Sequence, residues 1–97
     1  MKEAEFREWL KESGKKSKII SDTLSRLRRV EREIGDCDID AHYEKDKCEY
    51  LMSLFLKMGK NDEMKKYPDV SLPIGKYYMG TYRLALKQYV AFRDSEE

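Results

Sequence analysis

The chain has 97 residues, 40% of them hydrophobic and 11% aromatic, which is enough for one packed core and excludes both a second domain and global disorder. Charged residues make up 40%, yet the net charge is only +1, so bulk charge points to no nucleic-acid partner and any such argument rests on where the charges sit. Residues 1–5 are followed by no apolar run of an export signal, and the longest apolar-rich stretch, residues 50–58, is broken by Ser53 and Lys57 and falls far short of the ~20 residues of a membrane span.

The expected architecture is therefore one all-α domain over residues 1–97. Its expected location is cytoplasmic, away from membranes, with Cys37 and Cys48 as reduced thiols. Four helices are predicted from apolar periodicity. The first covers residues 2–13, where Phe6, Trp9 and Leu10 fall on one stripe and Gly14 supplies a turn. The second covers residues 18–34, with Ile20, Leu24, Leu27, Glu31 and Ile34 in a 3.6-residue rhythm, Ser17 as N-cap and Gly35 as stop. Residues 36–40 read as an acidic turn.

The third predicted helix, residues 43–58, is apolar nearly all round through Leu51, Met52, Leu54, Phe55 and Met58, and so should be the most buried. Residues 60–75 hold Pro68, Pro73 and Gly75 and read as a long loop. The fourth helix covers residues 77–93, with Gly80 weakening its first turn so that Thr81 is an alternative start. Residues 94–97 should fray.

Motifs for chemistry are each short of a member. His42 is the only histidine, beside an acidic turn and with no nucleophile placed for it to activate. Cys37, His42 and Cys48 form C-x4-H-x5-C, which matches no standard zinc spacing and lacks a fourth Cys or His; Asp38 or Asp46 would have to complete it. Asp36, Asp38 and Asp40 resemble the start of a calcium loop without its glycine and closing glutamate. No glycine-rich phosphate loop occurs. The expectation is no catalytic residue, no metal and no cofactor.

The charge map is more informative. Between residues 15 and 32, Lys15, Lys16, Lys18, Arg26, Arg28, Arg29 and Arg32 face only Asp22 and Glu31, a local excess of five positive charges that the near-neutral total conceals. Helical spacing puts Lys18, Asp22, Ser25, Arg26, Arg29 and Arg32 on one side, away from the apolar stripe. Such a face suits DNA phosphates; an ordinary solvated face, with Asp22 paired to Arg26, explains it too. In the last helix Arg83 and Lys87, with Lys76 before it, could share a second basic side, while its tyrosines read as core.

The segment from Phe6 to Leu10, Phe-Arg-Glu-Trp-Leu, then Ser17 to Val30 ending in Leu-Arg-Arg, and the closing stretch from Thr81 to Phe92 resemble the core-binding domain of tyrosine recombinases and phage integrases. The resemblance implies a four- to five-helix orthogonal SAM-like bundle that clamps double-stranded DNA through its second and fourth helices. It carries DNA contact over to Lys15, Lys16, Lys18, Ser21, Ser25, Arg26 and Arg29, and to Lys76, Arg83 and Lys87. It also implies a tethered catalytic domain, of a recombinase or a restriction-type nuclease, so none of the seven tyrosines here is a nucleophile. The competing reading is a helical protein-interaction or dimerisation domain, including a homo-oligomer, within a larger bacterial or phage protein.

Overall fold

The computed structural model describes residues 1–35 and 37–96, and all their regular structure is helical. Helix α1 spans Glu3–Glu12, with Glu3 and Glu5 in its first turn and Lys11 in its last, the arrangement the helix dipole favours. It buries Phe6 and Leu10 completely. Gly14, at φ +83°, turns the chain, and the Lys15 N–H reaches back to the Leu10 carbonyl.

Helix α2 spans Ser17–Glu33 and buries Ile20, Leu24 and Leu27 of the predicted stripe, together with Thr23 and Val30. Its start differs from expectation. Ser17 is the first helical residue and caps nothing; extended Lys16 precedes it, and no side chain bonds to the free amides. Glu31, on the edge of the stripe, is held by polar partners: its carboxylate accepts from the Ile39 N–H at 3.1 Å and from the Met1 ammonium at 3.2 Å.

The single long third helix is not formed. Helix α3 spans Ile39–Asp46 and helix α4 spans Glu49–Ser53, separated by Lys47 and Cys48, both left-handed at φ 55° and 63°. A 3-10 turn, Leu56–Gly59, then contains a second left-handed pair, Lys57 and Met58. Side chains stabilise these breaks. Asp38 caps α3 by accepting from the Asp40 N–H, Asp46 caps α4 by accepting from the Tyr50 N–H, and the buried Cys48 thiol donates to the Ile39 carbonyl. The Asn61 amide donates to the Leu54 and Leu56 carbonyls at 3.0 and 2.9 Å, and its oxygen accepts from the Met64 N–H. The apolar run is thus buried by folding back on itself: Leu51, Leu54 and Phe55 enter the core while Leu56 and Met58 stay exposed.

The stretch read as a loop is anchored rather than free. It carries a 3-10 turn, Met64–Lys66, and sends Met64 and Leu72 into the core. A further 3-10 turn, Tyr77–Met79, runs directly into helix α5, Gly80–Ser95. The end of α5 is tied down through Asp94, which accepts from the Tyr43 hydroxyl and pairs with Lys47, and through Glu96, which pairs with Lys2 and Arg93; Glu97 lies outside the described residues.

Helices α1, α2 and α5 meet in an aromatic core. The Phe6 ring sits edge-on to Tyr89 at 5.0 Å and tilted against Phe92 at 5.4 Å, and Phe55 stacks on Tyr82 at 5.7 Å. The radius of gyration is 13.0 Å, close to the roughly 12.5 Å expected of a compact chain this long.

Candidate nucleic-acid interface

Burying Ile20, Leu24 and Leu27 forces the opposite side of α2 into solvent. Lys18, Ser21 and Ser25 are exposed there, as are Lys15 and Lys16 just before the helix; Arg26 and Arg29 are half-buried on its flank. From Lys16 to Arg29 the basic positions run along about 20 Å of helix axis.

Arg26 and Arg29 look equivalent in sequence, three residues apart. The fold separates them. One Arg29 nitrogen donates to the Tyr82 hydroxyl at 2.9 Å and another to the Ser71 carbonyl, while the Ser71 hydroxyl donates to Glu33. Arg29 therefore binds α2 to α5 and to the segment before it. Arg26 makes no ion pair among the described residues, and the Asp22–Arg26 pair does not form.

In the second basic group, Lys76 and Lys87 are exposed. Arg83 is half-buried, and its Nε is buried without a hydrogen-bond partner among the described residues. Arg83 and Lys87 lie about 100° and 140° round α5 from Tyr82, so they flank the Arg29 contact instead of extending it.

The ion pairs sort the cations. Lys2, Lys11, Arg28, Arg32, Lys47, Lys65, Lys66 and Arg93 each meet a carboxylate. Lys15, Lys16, Lys18, Arg26, Arg29, Lys76, Arg83 and Lys87 meet none among the described residues, and neither do Arg7, Lys45, Lys57 and Lys60. The positions assigned to DNA contact thus all fall in the uncompensated set, while Arg28 and Arg32 of the same basic stretch are paired with Glu3 and Glu33.

The other candidate chemistries are engaged elsewhere. The half-buried Cys37 thiol is directed at the Val30 carbonyl, and burial raises it to about 11; burial raises the Cys48 thiol to about 12. Both oppose the thiolate a metal requires. His42 stacks on Tyr50. Among the described residues no three His, Cys, Asp or Glu side chains converge as a metal set. Asp36 of the acidic turn lies outside the described residues, and the Asp40 carboxylate accepts from Tyr89 and from Arg93. Burial opposes the charge on Asp40, but the Tyr89 hydroxyl, the Met1 ammonium and Arg93 outweigh it and hold the carboxyl below its usual range.

This buried-edge cluster of Glu31, Asp40, Tyr89 and Arg93 was not singled out from the sequence. Its one signal was Glu31, a carboxylate inside an apolar rhythm, which demands a partner. Among the described residues no helix is long and apolar enough to cross a membrane. No known protein family, curated protein or solved structure matches the chain.

Proposed function

We propose that this domain docks on double-stranded DNA through the exposed side of α2 and the start of α5, as a non-catalytic module resembling an integrase core-binding domain and acting beside a tethered catalytic domain. The observation that supports it is the sorting of charge: Lys15, Lys16, Lys18, Arg26 and Arg29 on or just before α2 and Lys76, Arg83 and Lys87 around the start of α5 lack carboxylate partners among the described residues, whereas Arg28 and Arg32 of α2 pair with Glu3 and Glu33 and six of the ten cations elsewhere are paired. Cations left uncompensated along about 20 Å are spaced for a phosphate track. The module alone would neutralise about three to five phosphates, so affinity is weak and tethering raises it. Arg29, being engaged, contributes orientation more than charge.

The test is fluorescence anisotropy with generic duplex DNA at about 50 and 200 mM salt. The expected slope of log affinity against log salt is about −3 to −4.5. Replacing Lys18 and Arg26 together by alanine should make the slope shallower by about 2 and leave the thermal melt in place. Equal binding by parent and variant at low salt, or a flat salt dependence, overturns the proposal.

A further inference from the structure

A second surface is apolar rather than basic at its centre. Leu56, Met58, Ile74, Tyr77 and Tyr78 are five large apolar side chains left in solvent, with Tyr77 87% exposed. They form one region. The Gly75 N–H donates to the Met58 carbonyl at 2.7 Å, and Ile74 packs against Gly59. The Tyr77 and Tyr78 rings meet edge-to-face at 5.5 Å. The region has a costly backbone: Lys57 and Met58 are consecutive left-handed residues, both at φ 56°. The Asn61 hydrogen bonds and the Gly75–Met58 contact hold this conformation, and Met58 stays exposed. Lys57, Lys60 and Lys76 border it without ion pairs among the described residues. The result is an aromatic, aliphatic knob with a positive rim, and its occupant should be an acidic-rimmed apolar groove.

The chain itself carries such a groove on the outer side of α1. It is about 440 Å³ in volume, has Trp9 and Phe92 in its wall, and is bordered by Glu5, Glu8 and Glu12. Glu5 and Glu12 have no ion pair among the described residues, while Glu8 meets Lys11. Trp9 is partly buried and stacks against Phe6, so the groove is preformed. The groove is open and wider than one tyrosine ring, so the ring can enter without rearrangement, and a tyrosine flanked by Lys76 meets a tryptophan flanked by glutamates.

We infer that the Tyr77 knob of one copy seats in the Trp9 groove of a second copy, with Lys76 facing Glu5 and Glu12. Knob and groove are different surfaces, so the contact is head-to-tail and each docked copy leaves one of each free. The interface is small, at the low end of specific contacts, and therefore weak unless copies are held close together. It shares Lys76 with the DNA reading but rests on the Tyr77 knob and the Trp9 groove, which that reading does not use, and its test contains no DNA.

Sedimentation velocity of the whole chain, from about 10 µM to about 1 mM at low salt, reads it out. The expected result is a sedimentation coefficient that rises with concentration without reaching a plateau and falls back in high salt. Tyr77→Ser, at an exposed position, should weaken association at least about tenfold, and so should Glu5→Lys with Glu12→Lys. Mixing the two variants is decisive: one has only a groove and the other only a knob, so the mixture should form a heterodimer that grows no further. A monomer at the highest concentration overturns the inference. So does a closed dimer that neither variant disturbs, or a mixture that stays monomeric. Circular dichroism melts of each variant identify loss through unfolding; Lys76→Glu against the groove variant Glu12→Lys then supplies a charge-exchange pair, and failure of that pair to associate also counts against the inference.

Discussion

Arg29→Ala should unfold the domain more readily than any other substitution on the basic side of α2. The guanidinium makes two hydrogen bonds across the fold, to Tyr82 on α5 and to the Ser71 carbonyl. A hydrogen bond to a charged group contributes about 1.5–3 kcal/mol, and removing the donor leaves its acceptors to find water. Because the site is half exposed, the low end applies, for a total loss of about 2–3 kcal/mol. In a domain of this size that lowers the melting temperature by about 10–20 °C. Arg26→Ala, without such partners, should stay within about 0.5 kcal/mol. Urea titration followed by circular dichroism measures both, and Tyr82→Phe should recover only part of the Arg29 loss, about 1 kcal/mol. If Arg29→Ala and Arg26→Ala prove equally stable, the bridging role assigned to Arg29 is wrong.

Three further outcomes follow from other contacts in the fold. Asn61→Ala removes the amide that serves the Leu54 and Leu56 carbonyls and the Met64 N–H, and should cost about 2–4 kcal/mol in the urea midpoint. Gly59→Ala puts a Cβ at 2.8 Å from the buried Met79 methyl at a backbone φ of +81°, and should cost about 1–3 kcal/mol by the same measurement. The Asp40 carboxyl titrates below its unfolded value in the native state. Its contribution is therefore complete above the ordinary aspartate range near pH 4 and is lost as pH falls through the lower native value. Asp40→Asn should flatten the acid limb of the stability curve, and an unchanged limb would show that other carboxylates dominate it.

Local rules made α1 and α2 readable, because each has one apolar stripe, a charged opposite face and a glycine just beyond it. The middle of the chain was not readable that way. Its breaks fall at Lys47, Cys48, Lys57 and Met58, residues whose types give no turn signal, and what holds them is side-chain bonding by Asp46, Cys48 and Asn61 that depends on the finished fold. The basic side of α2 was legible as a pattern, since burial of the stripe dictates exposure of the rest. The difference between Arg26 and Arg29 was not, because Tyr82 is 53 residues from Arg29 along the chain.

The partners of α1 set an order of events during synthesis. Phe6 packs on Tyr89 and Phe92, and the Lys2 N–H donates to the Tyr89 hydroxyl across 87 positions. Because α1 leaves the ribosome before α5, the sides of Phe6 and Trp9 that meet α5 have no seat until α5 has emerged. Helix α2 can cover part of the α1 stripe early, but the Phe6 and Trp9 surfaces that face α5 stay open to chaperones until that helix arrives and completes the core.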